Sequence, residues 1–342
     1  MLNLQSQFAN ILLGQRLKHD LFNHSGVLII PAKTVITEEH LQIVSMHHIP
    51  ISIHDLEEIT LSEGTDGCQL IDRSVLIIQD LYERVSYRRA IPILDIKTHI
   101  LPIIQHTVKH TDLFTLLSWL KSSDDYTYRH MVAVSILSTL IGKWLQLNET
   151  ELQDLTMAAV LHDVGKINIP LEILNKPGAL TPEEFEIVKQ HTKDGYELIK
   201  ATSGTTMRQA LVALQHHERQ DGSGYPLGLR SDNIDLYSRI VAVADVFHAM
   251  SSERVYRNAS PFYTLLNELY QFAFGKLDAK IVRLFLDRLM QALVGNEVLL
   301  TDGRRAIIVM INSHDPIHPL VRVGDAFVDL SKCSIQIEEV LA

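Results

Sequence analysis

Seven side chains between positions 130 and 245 constrain this chain more than anything else in it: His130, His162, Asp163, His191, His216, His217 and Asp245. Several of them fall on faces that are otherwise apolar. Asn148 with Glu151 three residues on is an N-terminal capping signal, and Gly165 is expected to close the helix that follows. Along that helix Leu152, Leu155 and Ala159 form a stripe that His162 continues. His130 shares a face with Val134, Leu137 and Ile141, and Asp245 shares one with Val241, Ala242 and Ala249. A carboxylate aimed into such a core is destabilising unless something neutralises it, and metal coordination does so.

Imidazoles with carboxylates suit iron, manganese or another first-row divalent ion, and no cysteine lies near, which argues against a structural zinc site. Seven donors are too many for one ion. The expected arrangement is two divalent ions, iron or manganese first, with nickel, zinc or magnesium as further candidates. Asp163 would bridge them, with His130, His162 and Asp245 on one ion and His191, His216 and His217 on the other. A shared hydroxide there would be a nucleophile at neutral pH, able to attack phosphorus. Lys166, three residues after Asp163, is expected to neutralise a phosphate oxygen, a reading favoured over that of a helix C-terminal cation. Arg254 and Arg257 read either as a phosphate clamp or as partners of surface acids. Arg219 and Tyr225 lie in a segment, 219–228, whose three glycines and proline require a loop at the mouth of the site; they read either as base contacts or as braces of that loop.

The chain around this region divides into four. Residues 1–62 alternate short apolar runs, such as Gly26–Ile30 and His48–His54, with a helix start at Thr37, Glu38 and Glu39, and read as a small α/β regulatory or interaction domain. Glu63–Gly67 reads as a boundary. Residues 63–119 form a helical connector, with breaks expected at Pro92 and Pro102; His99, His106 and His110 have no matching acids and are not expected to bind metal. Residues 120–290 are helix after helix, including the capping box Thr181-Pro182-Glu183-Glu184 ahead of His191. Residues 291–342 turn β-rich around Asp302-Gly303 and read as a small β domain.

The formal net charge of −10 disfavours partners that reward basic surface, so DNA or RNA duplexes are not expected. The apolar stretch Met131–Leu147 is interrupted by Lys143 and falls short of the roughly 20 residues a span needs, so a buried core helix is expected and no membrane span. Two cysteines without paired spacing and no signal peptide seen at Met1–Arg16 lead to the expectation of a reduced, intracellular chain.

The residues His162-Asp163-Val164-Gly165-Lys166, Lys176–Thr181, His191, His216–Pro226, Val243–Phe247 and Arg254-Val255-Tyr256-Arg257, in this order, resemble the HD-GYP branch of the HD-domain phosphohydrolases. The resemblance covers roughly residues 120–290. It implies an all-helical HD-type catalytic domain in a mainly α, multidomain chain. It implies as substrate the bacterial second messenger cyclic di-GMP, hydrolysed to pGpG and in many members onward to GMP, in a bacterial cytoplasm. Some members carry a glutamate four residues before the first histidine that supports a third metal; Tyr126 stands there, so two metals are expected. Two other readings are a receptor module that binds cyclic di-GMP without turnover and a phosphohydrolase for another cyclic dinucleotide. Homodimerisation is left open.

Overall fold

A computed structural model of the chain describes residues 12–49, 51, 55–57, 61, 66–88, 90–120, 126–251, 262–312 and 314–341. Near the start, β1 (Leu21–Phe22) pairs antiparallel with β2 (Leu28–Ile30), Leu21 opposite Ile30. The turn between them is tied by the Asn23 side chain, which accepts from the N–H groups of Ser25 and Val27. Helix α1 (Glu38–Met46) starts at the Thr37 cap, as expected, with the His40 ring completing the capping box. Leu17, Ile30, Ile36 and Leu56 are buried and join the same continuous apolar core as the helices that follow. Most of the 48–54 run lies outside the described residues.

Helix α2 (Gly67–Arg88) opens the helical part. Gly67, read from sequence as part of a boundary, is the first residue of this helix, where the Trp119 ring leaves no room for a Cβ; residues 62–65 lie outside the described residues. Past Pro92 a short helix (Ile93–Asp95) runs through a π turn (Ile96–Ile100) into α3 (Leu101–His110). Only Pro92 breaks the chain. Pro102 sits in the first turn of α3, and the π turn ahead of it opens the helix where the missing proline N–H leaves a gap in the hydrogen bonding.

After α4 (Leu113–Leu120) comes α5 (Tyr126–Trp144), the central helix. It is buried nearly all round: Met131, Val134, Leu137 and Ile141 are fully enclosed, and so are Ser135, Ser138 and Thr139. Ser135 and Thr139 donate their hydroxyls to carbonyls four residues back, so their polarity is satisfied inside the helix. Among the described residues no helix is long and apolar enough to cross a membrane. Helix α6 (Glu149–Leu161), boxed by Asn148 and Glu151 as expected, packs along α5, with a contact of 2.7 Å between the Thr139 and Thr156 hydroxyls.

The sequence reading of Gly165 needs correction. The helix ends at Leu161 with His162 as its C-cap, Gly165 lies within a 3-10 turn (Val164–Asn168), and its φ is not in the left-handed region a glycine C-cap uses. A glycine is needed because the turn presses on α7 (Pro182–Ala201): a Cβ would overlap the His191 carbonyl oxygen and come within 2.5 Å of the Gly195 nitrogen. Helices α8 (Met207–Gln215) and α9 (Leu236–Ser251) complete the shell around α5 and α6, and α10 (Phe262–Phe272) and α11 (Ala279–Gln291) lead out of it.

At the C-terminal end β3 (Glu297–Leu300), β4 (Arg305–Asn312), β5 (Asp315–Val323), β6 (Ala326–Asp329) and β7 (Ile337–Leu341) form an antiparallel sheet of order β6-β5-β4-β3-β7. Asp302-Gly303 makes the β3–β4 turn, as expected, with Gly303 at φ +82°. Strand β7, which sequence reading missed because Glu338 and Glu339 interrupt its apolar run, pairs with β3. Val298, Ile308, Ile317 and Val321 face the core beside α11 and α10, and the Tyr263 hydroxyl donates to the Ile317 carbonyl.

The close approach at Gly165 predicts that Gly165→Ala lowers stability by about 1–3 kcal/mol through overpacking. Chemical denaturation checks it, and an unchanged midpoint would mean that the turn can move away from α7.

Candidate metal centre

The seven predicted side chains converge from five places. Helix α5 supplies His130, the end of α6 supplies His162 and Asp163, α7 supplies His191, the end of α8 supplies His216 and His217, and α9 supplies Asp245. All are buried except His217, which is partly exposed. Their ligand atoms form two groups, each within 4.8 Å: Asp163, His191, His216 and His217 in one, and His130, His162 and Asp245 in the other.

Asp163 lies between the groups. Its Oδ2 is 3.3 Å from His162 Nε2, 4.0 Å from His130 Nε2 and 2.5 Å from Lys166 Nζ. Its Oδ1 is 3.4 Å from His191 Nε2 and 3.7 Å from His216 Nε2. One oxygen therefore faces each set of imidazoles. Asp245 reaches His130 Nε2 at 3.0 Å through one oxygen and His217 Nδ1 at 3.9 Å through the other.

Backbone carbonyls aim the rings. His162 Nδ1 lies 2.7 Å from the Ala159 oxygen, His191 Nδ1 2.6 Å from the Val188 oxygen, and His216 Nδ1 3.0 Å from the Ala213 oxygen. A carbonyl only accepts, so each Nδ1 carries a proton and each Nε2 is the nitrogen turned inward. Metal-binding histidines are commonly oriented in this way. Burial first, and neighbouring imidazoles after it, push His217 well below its usual range; burial takes His191 down to about 3 and also lowers His130. These rings are neutral at pH 7. His162 departs upward, because the Asp163 carboxylate outweighs the effect of burial.

The carboxylates behave in the opposite way. Burial opposes their charge, yet Lys166 and His162 hold Asp163 well below the usual carboxylate range, and the hydrogen bond from His130 does the same for Asp245. The fit to divalent cations follows from this donor set. Two buried carboxylates stand among inward lone pairs, and both His162 Nε2 and Asp163 Oδ1 are buried without a hydrogen-bond partner. A cation at each group satisfies those atoms and offsets the charge.

Around the cluster the structure sorts the other predicted residues. Lys166 reaches Asp163 from the adjoining 3-10 turn. Tyr225 stacks on His217 with ring centroids 4.8 Å apart and meets Phe185 edge-on at 5.9 Å. Arg219 donates to the backbone carbonyls of His216 and Glu218, which is the bracing geometry. Arg254, Arg257 and the Tyr126 side chain lie outside the described residues. His99 and His110 are exposed, and none of His99, His106 and His110 belongs to either group.

Two functional positions escaped sequence reading. Glu218, next to His217 but overlooked in favour of the glycines, is buried and accepts from the N–H groups of Leu227 and Leu229 at 2.7 and 2.9 Å, clamping the 219–228 loop shut on itself. Gly224 makes this fold-back feasible, since a Cβ there would come within 2.5 Å of the His217 carbonyl oxygen and the Glu218 Cα. His248 is the other; it is buried against His130.

Comparison with known proteins bears on this region. Residues 114–281 match the family model described as HD domain. Over 216 residues the chain is 34% identical to a cyclic di-GMP phosphodiesterase of Pseudomonas aeruginosa, covering 63% of this chain and 52% of that protein. Over 180 residues it is 43% identical to a cyclic di-GMP phosphodiesterase of Thermotoga maritima, covering 51% and 49%. It is also 36% identical over 164 residues to the 3'3'-cGAMP-specific phosphodiesterase 1 of Vibrio cholerae, covering 47% and 37%. The chain thus spans about half the length, or less, of these relatives. Its fold is similar to that of an HDG"Y"P protein from Bdellovibrio bacteriovorus, with a TM-score of 0.57 at 18% identity over 82% of this chain and 97% of the other.

The ionisation pattern sets a pH dependence. His130, His191 and His217 have lowered pKa values in the folded state, so below the unfolded value near 6.5 the unfolded chain binds protons that the native one does not. Their contribution is present above that pH and fades as pH falls. His162, with a raised pKa, works in the reverse sense but stands alone against three. The metal-free protein should therefore lose stability steadily from pH 7 to pH 5 in denaturant titrations; a flat or rising profile would contradict the neutral-imidazole arrangement.

Proposed function

Residues 114–281 of this chain belong to the HD-domain family, and on that premise we propose that the protein is a metal-dependent phosphodiesterase that hydrolyses cyclic di-GMP to pGpG, with GMP as the further product to be tested for. The observation that carries the reading is the Asp163 carboxylate, with one oxygen toward each of two groups of inward imidazoles. His130, His162 and Asp245 would hold one divalent ion and His191, His216 and His217 the other, iron or manganese by the nitrogen-rich donor set. Bound ions supply Lewis acidity toward phosphate oxygens and a nucleophile at neutral pH.

The chain's own side chains do the rest. Lys166, held by Asp163 at the edge of the cluster, is placed to exchange that partner for a phosphate oxygen and neutralise charge as it develops. The Tyr225 ring, propped by Phe185 and stacked on His217, forms an apolar wall at the rim on which a nucleobase can lie. The buried Glu218 clamp keeps that wall in place. Residues 1–62 would act as a regulatory module, joined through the connector 63–119 to a catalytic unit at 120–290, with the sheet of 291–342 as a C-terminal unit packed against it.

A second reading, hydrolysis of another cyclic dinucleotide, draws on the similarity to a protein named for 3'3'-cGAMP. Anaerobic incubation with cyclic di-GMP and 3'3'-cGAMP, each with Mn²⁺ or Fe²⁺, separates the readings when products are resolved by chromatography. Asp163→Asn should keep the fold, lose bound metal and lower turnover by more than about 100-fold. Wild-type turnover in that variant would overturn the two-group assignment.

A further inference from the structure

His248 plays no part in the reading above, yet its position is tightly specified. It lies on α9 three residues after Asp245, is 3% exposed, and places its Nδ1 2.9 Å from Nδ1 of His130. Its Nε2 is 3.3 Å from the carbonyl oxygen of Leu120, the last residue of α4. His162, His191 and His216 meet carbonyls of their own helices, which can only accept. His130 meets a second imidazole, which can either accept or donate.

Two ring nitrogens at that separation share one proton. His130 Nε2 lies 3.0 Å from Asp245 Oδ1, a contact that favours the proton on Nε2 whenever no ion takes that nitrogen's lone pair. Nδ1 of His130 then accepts from Nδ1–H of His248, and His248 turns a lone pair toward the Leu120 oxygen, leaving two acceptors face to face. With the Nε2 lone pair given to an ion, His130 must carry its proton on Nδ1 and donate it to His248. His248 then carries its own proton on Nε2 and donates to Leu120. The pair holds two protons in either state, so the exchange is balanced with none gained or lost.

We propose that His248 is a positioning residue that sets the tautomer of His130 and, through the same proton arrangement, fastens the end of α4 to α9 when the His130 group carries an ion. The inference rests on the metal reading of that group. By linkage the coupling is reciprocal: fastening α4 favours ion binding at His130 as much as ion binding fastens α4. The connector region therefore has a physical route to the His130 half of the metal centre.

The test uses the full-length chain with histidine side chains labelled with ¹⁵N and Zn²⁺ as a diamagnetic probe. His248 is expected to switch from the Nδ1–H to the Nε2–H form on loading. His248→Phe should weaken one of the two Zn²⁺ sites by about 10- to 100-fold and leave the other unchanged, the size expected for removing an outer partner of a metal-binding histidine. His248→Asn, which keeps an acceptor where Nδ1 stood, should restore most of that affinity, and His248→Gln, which keeps only the arm toward Leu120, should not. A merely structural role would weaken both sites together and show no rescue by asparagine, overturning the proposal. Two ions bound with an unchanged His248 tautomer would overturn this inference alone, whereas a wild-type chain that takes up no Zn²⁺ would overturn the metal reading and this inference with it.

Discussion

The helical part of this protein is arranged so that one carboxylate stays ionised where water does not reach it. Asp163 is 1% exposed, and an isolated charge in that place would be strongly destabilising. Lys166 meets it from the same tight turn, and the imidazoles of four helices or helix ends stand around it. The turn that brings Lys166 back on Asp163 is itself pressed onto α7 at Gly165, so the packing of that turn on α7 and the electrostatics of the cluster are a single problem. Changing any of these elements changes the charge balance at Asp163.

Preorganisation comes from the helices. In an α-helix the carbonyls three and four residues back point toward the side of a residue's own ring, so a histidine at the right place satisfies its Nδ1 locally and needs no partner from elsewhere. His162, His191 and His216 all do this, and their Nε2 atoms are thereby turned inward with lone pairs available. His216 stands at the end of its helix, where the following His217 leaves the helical path and faces Tyr225. His130 is different: it sits inside the most enclosed helix, and its outer nitrogen is met by a ring from α9. Of these four rings, three are held by carbonyls of their own helices and His130 by the crossing of separate helices.

The loop at the rim shows how a stretch rich in glycine becomes ordered. Its glycines permit the turn, but what closes it is Glu218, a buried acid with both oxygens spent on loop N–H groups. A carboxylate used this way satisfies backbone donors that would otherwise be left in a crowded site. Farther off, the C-terminal sheet packs its inward valines and isoleucines on α10 and α11 and so extends the same core.

Much of this was legible in the residues. The capping boxes at Asn148 and Thr181 mark helix starts because short polar side chains satisfy exposed N–H groups, and the stripe of Leu155, Ala159 and His162 follows from 3.6 residues per turn. Such local rules set the element types and the inward direction of the candidate donors. They failed where a distant neighbour decides. Gly165 is a glycine because α7 passes over it, Pro102 lies within a helix because a π turn precedes it, and β7 forms because β3 offers an edge to pair with. By itself the sequence determined which side chains could face a common interior. Only the tertiary structure decided which oxygen of Asp163 faces which imidazoles, that Glu218 closes the loop, and that His248 backs His130, because those distances depend on how the helices cross, and residue spacing within one helix carries no information about the crossing.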